Sequence, residues 1–157
     1  MTPAQRKASA LAVATALAAP LEGMRQTYYY DPPGIPTVCF GHTCDVDKTK
    51  VYSIAECKAL MDKDMLHAIE QVERCVPGLP PKPLAAFSDA VYNIGPSVVC
   101  DTKKSTIARL LKAGDIRGAC GRLSDWSKAR VAGVLVSLPG LVKRRNLERD
   151  LCFEGLT

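Results

Sequence analysis

Two acidic residues pose the first chemical question. Glu22 follows an alanine-rich apolar run and is followed at once by Gly23, the residue type that most often ends a helix and lets the chain turn. A carboxyl in that place is half buried at the edge of a packed body. Asp31 comes after Tyr28-Tyr29-Tyr30 and before Pro32-Pro33-Gly34, a tight turn between two short strands. At such a strand end a carboxyl is exposed and solvated. Two carboxyls in unlike surroundings can divide the work of breaking a bond between sugars. One keeps a proton for the leaving oxygen, and the other stays ionised beside water or the ring. Two acids in a loop are more often plain solvated charges, so the residues around them decide the reading.

Those residues form a pattern. Glu22-Gly23, Tyr30-Asp31, Gly34, Thr37 and Gly41-His42-Thr43 stand at fixed spacings. Downstream come Tyr92-Asn93-Ile94-Gly95, Ser105-Thr106 with Leu110-Leu111, Gly114-Asp115, Trp126, and Pro139 to Arg145 followed by Glu148-Arg149. From Glu22 to its end the chain resembles the phage-type lysozymes, or endolysins, and most of all the lambdoid signal-arrest-release type. That resemblance implies an α+β, mostly helical, two-lobed fold with a small β-hairpin lobe, a helical lobe and a cleft between them. It implies hydrolysis, with inversion, of the bond between N-acetylmuramic acid and N-acetylglucosamine in peptidoglycan. Glu22 would be the general acid, Asp31 the carboxylate that positions or activates water, and Thr37 a hydroxyl that helps hold that water. Cys39 departs from the plain members, which often carry glycine there, and this bears on disulfides more than on catalysis.

Two further residues are candidate substrate contacts. Asn93, before Gly95-Pro96, is placed either to meet a sugar amide or to cap the end of a helix. His42 is placed as a ligand or base, although a single histidine beside a glycine is more commonly a structural hydrogen-bonding residue. His67 lies in a charged helical stretch without a partner pattern. No metal site and no cofactor are expected.

The elements that must position these residues follow from periodicity and punctuation. Gln26 to Tyr30 and Ile35 to Phe40 form a hairpin of aromatic and β-branched residues. Ser53 with Glu56 is a capping box opening a long helix, with Leu60, Met65, Leu66, Ile69 and Val72 as its apolar positions. Residues 77 to 83, PGLPPKP, are expected as a loop. A helix from Leu84 to Ile94 then presents Phe87, Val91 and Ile94. Short helices over Ser105 to Ala113 and Ile116 to Trp126 precede a loop around Gly133 and Pro139-Gly140. A basic helix from Leu141 to Leu151 closes the chain; Arg144 and Arg145 either pair with an acid near the cleft or lie on a solvated face. Trp126 is expected in the core.

The 157 residues fit one compact domain, and the 47% apolar and 24% charged composition is that of an ordinary globular chain. Net charge is +5, with 21 Lys and Arg against 16 Asp and Glu. A modest positive excess suits an acidic envelope. One Trp, five Tyr and three Phe, without basic residues interleaved, argue against a nucleic-acid partner. The expected partner is peptidoglycan, met as a monomer. A non-catalytic wall-binding module and a lytic transglycosylase are the rival readings.

Seven cysteines favour an oxidising compartment. Cys75 and Cys100 flank one helix, and Cys120 and Cys152 bracket the last helical stretch, so bridges are expected there. Cys57 is expected to pair with Cys39 or Cys44, leaving one thiol over. Residues 1–19, with Arg6 and Lys7 ahead of about a dozen weakly apolar residues, have two readings. They are either a weak export segment of the signal-arrest-release kind, in transient membrane contact on the way to the periplasm or cell envelope, or simply the first helix. Residues 20–157 make up the catalytic domain.

Overall fold

In the computed structural model, which describes residues 1–157, the alanine-rich start is a helix, α1 (Pro3–Glu22). Thr2 and Gln5 close its first turn by exchanging hydrogen bonds of 2.8 and 3.1 Å. Ala10, Ala14 and Ala18 are fully buried. Their four-residue spacing makes the inner face of α1 a stripe of methyl groups, which lets neighbouring helices approach closely. Pro20 withholds one helical N–H, and Gly23 at φ 65° carries the chain out. Glu22 is thus the last helical residue. At the other end Arg6 grips both carboxylate oxygens of Glu73 and donates to the Leu79 carbonyl at 3.0 Å. Arg6 holds the Glu73 carboxyl below its ordinary range through that hydrogen bond, against the opposing effect of burial.

Strands β1 (Arg25–Tyr30) and β2 (Pro36–Cys39) form the expected hairpin, with Tyr29 opposite Thr37 and Tyr30 opposite Pro36. The chain then doubles back. Val38 and His42 exchange backbone hydrogen bonds of 2.9 and 2.8 Å around Cys39 at φ 60° and Gly41 at φ 81°. Cys39 therefore occupies left-handed backbone that glycine tolerates and an L side chain resists by roughly 1–2 kcal/mol. Its disulfide to Cys57 holds it there.

Cys57 lies on α2 (Ile54–Cys75), capped by Ser53 and Glu56 as expected. Its buried face is Cys57, Met61, Met65, Ala68, Ile69 and Val72. Leu66, expected in that core, is exposed on the other side. The loop expected over residues 77–83 is cut short, because α3 (Pro81–Ile94) begins inside it. Proline is tolerated in a first helical turn, where the N–H it lacks has no partner to lose. From Pro83 to Val91 every residue of α3 is buried, Ser88 and Asp89 included. This is the central helix, packed against α1, α2 and the last helix, α7 (Pro139–Glu154).

Between them lie α4 (Ser97–Cys100), α5 (Thr106–Lys112) and α6 (Ile116–Gly121). The single helix expected from Ile116 to Trp126 breaks after Gly121 and continues as a 3₁₀ turn, Leu123–Trp126, with Trp126 packed against the core. Where a loop was expected, β3 (Lys128–Val131) and β4 (Val134–Ser137) form a second hairpin. Ala132 and Gly133 both have positive φ, the two-residue turn whose twist matches paired strands. Two more bridges, Cys75–Cys100 and Cys120–Cys152, tie α2 to α4 and α6 to α7, and Cys44 is a free, exposed thiol. No helix is long and apolar enough to cross a membrane.

The alanine stripe gives a direct test of this packing. Ala14→Leu forces extra methylenes into a closed helix interface and is expected to lower stability by roughly 1–3 kcal/mol, read as a fall in denaturation midpoint. An unchanged midpoint would mean that α1 does not pack along that face.

Candidate active site

Glu22 projects from the end of α1 into a cavity of about 350 Å³ whose walls include Gly41, Asp64, His67, Tyr92 and Asn93. Its side chain is 20% exposed. Behind it stands Arg144 of α7, whose Nη1 donates to Glu22 Oε1 at 2.5 Å. The same guanidinium donates from Nε and Nη2 to both oxygens of Asp89, at 2.9 and 2.8 Å. Asp89 is fully buried and Arg144 only 5% exposed, so the fork is closed off from water and fixed in direction. Burial alone would ease proton loss from Arg144, but the hydrogen bonds and charges of Asp89 and Glu22 outweigh it. Arg144 is a permanent cation. One carboxylate oxygen of Glu22 is occupied from behind and the other, Oε2, faces Gly41, where an added Cβ would lie 3.5 Å away.

Several polar groups in the other walls are engaged inside the protein. Tyr92 donates its hydroxyl to the Phe40 carbonyl at 2.6 Å, pinning α3 to the hairpin lobe. Burial first, then the negative charges of Glu22 and Asp64, push the Tyr92 phenol well above its ordinary range, so it remains a donor. Asn93 accepts from Arg145 Nη2 at 3.0 Å through its carbonyl oxygen, which leaves its amide N–H groups for the cavity. The cap of α3 is Gly95, not Asn93. His42 has both ring nitrogens engaged, Nδ1 with Asp64 at 2.7 Å and Nε2 with the Cys44 carbonyl at 2.6 Å. It lines an adjoining cavity with Asp64 and His67 and braces the hairpin lobe against α2.

Asp31 and Thr37 stand in the hairpin, outside the residues that line the Glu22 cavity. Asp31 is half-exposed directly after β1, and its Oδ1 accepts the Ile35 N–H at 2.7 Å across the turn. Thr37 is buried and donates to the Ile35 carbonyl at 2.9 Å. The fold therefore brings Glu22 and Asn93 to one cavity, while Asp31 and Thr37 are both tied to the backbone of Ile35 within the hairpin.

A family model described as phage lysozyme matches residues 19–148. The chain belongs to the phage lysozyme family. It is 38% identical over 137 residues to the SAR-endolysin of bacteriophage PS119, covering 86% of this chain and 78% of that one. Among solved structures it is similar to the muramidase domain of SpmX from Asticaccaulis excentricus, with a TM-score of 0.79 at 25% identity over 89% of this chain and 94% of that one. The active form of the P1 phage endolysin Lyz gives a TM-score of 0.78 at 25% identity, covering 92% and 84%.

Behind Arg144 the site holds a second layer that sequence reasoning did not assemble. Arg145 and Glu148 are fully buried, with Arg145 Nη2 donating to Glu148 Oε1 at 2.5 Å. Glu148 Oε2 and the Nε and Nη1 atoms of Arg145 are buried with no hydrogen-bond partner in the protein. Burial, then the neighbouring Asp89 carboxyl, push the Glu148 carboxyl up to about 9, against the pull of Arg145. A solvated basic face was one of two readings for this helix, and the structure contradicts it. The usable sequence clue was Asp89, one charge inside the otherwise uncharged run from Leu84 to Ile94. A charge buried in such a run requires a partner of opposite sign.

Removing that partner should be costly. Arg144→Gln leaves Asp89 buried without its cation and is expected to destabilise the fold by about 3–5 kcal/mol, measured by urea denaturation. A loss under 1 kcal/mol would show that the Asp89–Arg144 fork does not hold α3 to α7.

Proposed function

We propose that this phage lysozyme is a muramidase of the endolysin type, which cleaves the glycosidic bond between N-acetylmuramic acid and N-acetylglucosamine in peptidoglycan and so lyses the host cell. The observation that carries the reading is the Glu22 carboxyl, held through one oxygen by a buried guanidinium and presenting the other to an open cavity. That is the placement a general acid needs, since the proton it donates must lie within hydrogen-bond reach of the leaving oxygen. Glu22 protonates the bridging oxygen while Asp31, with Thr37, directs water to the sugar. The Asn93 amide N–H meets an acetamide carbonyl. The muramidase domain and the phage endolysin among its structural neighbours support this chemistry.

Export to the periplasm or cell envelope belongs to the same reading. The disulfides Cys39–Cys57, Cys75–Cys100 and Cys120–Cys152 require an oxidising compartment to persist, and the relative from phage PS119 is described as a SAR-endolysin. Helix α1 would then serve twice, as a weak export segment and as the element that carries Glu22.

One observation favours a second reading. Because Asp31 and Thr37 do not line the cavity that holds Glu22, a lytic transglycosylase, which needs one acid and no attacking water, fits the cavity alone.

Turbidity loss of outer-membrane-permeabilised Gram-negative cells, with mass spectrometry of the released muropeptides, separates the two. Glu22→Gln is expected to reduce lysis by about 10²–10⁴-fold, and Asp31→Asn strongly as well, with reducing ends in the wild-type products. Anhydro ends together with activity surviving in Asp31→Asn would instead identify a transglycosylase. Full activity of Glu22→Gln would remove the acid from the mechanism.

A further inference from the structure

The Glu22 cavity does not end at its own wall. A second cavity of about 460 Å³ adjoins it, and the two share Cys44, Asp64 and His67 in their linings. One face of α2 runs through both. Leu60, Lys63, Asp64 and His67 recur at three- and four-residue spacing along the second cavity, and Gln71, one turn further on, lines the first. From Gln71 to Lys63 is a distance of about 12 Å along the helix. The cavity that holds the acid therefore opens along α2 into a chamber with a chemistry of its own.

That chamber carries both signs of charge over an apolar part made by Tyr52, which is buried, and Leu60, which is half-buried. Asp64 is engaged by His42 at 2.7 Å. Lys50 and Lys48, from the loop beside it, are held by Glu56 and by the Tyr30 hydroxyl. Lys63 and His67 are exposed and form no ion pair within the protein, and the Asp45 carboxylate meets only the Cys44 thiol at 3.7 Å. The groups left to a ligand are therefore an ammonium and an imidazole from α2 and a carboxylate facing them. Together they match a ligand that carries a carboxylate and an ammonium side by side, and a neutral sugar would leave them unmatched. Peptidoglycan carries such a group. Its muramic acid bears a short peptide whose third residue is a diamino acid. In walls built on diaminopimelate the free end of that residue holds an ammonium and a carboxylate on one carbon, and in walls built on lysine it holds the ammonium alone. Three extended residues reach about 10 Å, close to the distance from Gln71 to Lys63. Resting on the muramidase reading, we infer that the second cavity is a subsite for the substrate's peptide, in which Lys63 and His67 hold the carboxylate of a free amino-acid end and Asp45 its ammonium. The muramic acid then lies by Glu22, and its peptide runs along α2 past Gln71 and His67. The protein is thereby matched to diaminopimelate walls over lysine walls.

Titration of the protein with free stem tripeptides, followed by backbone amide shifts, tests the subsite without turnover. The tripeptide ending in diaminopimelate is expected to bind about tenfold more tightly than its lysine counterpart, the worth of one charge-assisted hydrogen bond, and to shift the amides of α2 around Lys63. Lys63→Gln is expected to abolish that preference, and Asp45→Asn to weaken both peptides. Both substitutions are at exposed positions, and asparagine tolerates the Asp45 backbone at φ 51°. No binding, equal affinities, or a preference that survives Lys63→Gln overturns the inference. Turnover gives a second reading. With Lys63→Gln, kcat/KM should fall about tenfold on intact sacculi and hold its wild-type value on glycan strands stripped of peptide by an amidase. An equal fall on both substrates would make Lys63 a glycan contact and overturn the subsite. Full lysis by Glu22→Gln would overturn the general-acid reading instead, and the peptide titration would stand apart from it.

Discussion

The structure depends on one guanidinium. Arg144 reaches from the last helix into the centre of the molecule, satisfies both oxygens of a carboxylate on the most deeply buried helix, and still has a nitrogen left for the carboxyl at the end of the first. An arginine is suited to this because its planar fork fixes three directions at once and never loses its charge. Three helices distant in sequence are brought to a common point, and Glu22 acquires a defined orientation as a by-product of packing. The hydrophobic core supplies most of the folding free energy. The ion pairs determine how the helices meet.

Around that point the fold separates rigid parts from reactive ones. The hairpin lobe is joined to the helical body by a disulfide from Cys39, a hydrogen bond from Tyr92 and the His42–Asp64 pair. The Tyr92 and His42 bonds engage polar groups beside the cleft. An oxygen of Glu22 and the amide of Asn93 are among the groups left to the cavity.

Much of this was legible before any coordinates, for local reasons. Glu22 ahead of Gly23, the Ser53–Glu56 box and the Pro-Pro-Gly turn are written in neighbouring residues, and capping and turn chemistry act over a few positions. The expected bridges Cys75–Cys100 and Cys120–Cys152 joined residues that flank recognisable helices. What escaped was non-local or lacked its usual residue. The β3–β4 hairpin turns on Ala132-Gly133, where Asn-Gly would have announced it. The burial of Arg144 and Arg145 could not be inferred from their own segment, since a basic helix looks alike whether solvated or matched by acids elsewhere. Asp89 held the information, 55 residues away. Cys39 in left-handed backbone shows the reverse case, in which a family glycine position has a physical reason that only its φ reveals.

The pairing of Glu22 with Arg144 spans 122 residues. During synthesis the helix that bears the acid emerges first and waits, its counterion not yet made, until nearly all of the domain has left the ribosome. A nascent or truncated chain that stops before α7 therefore has the acid without the frame that aims it. The orientation of Glu22 is thus a property of the finished chain and not of its N-terminal half.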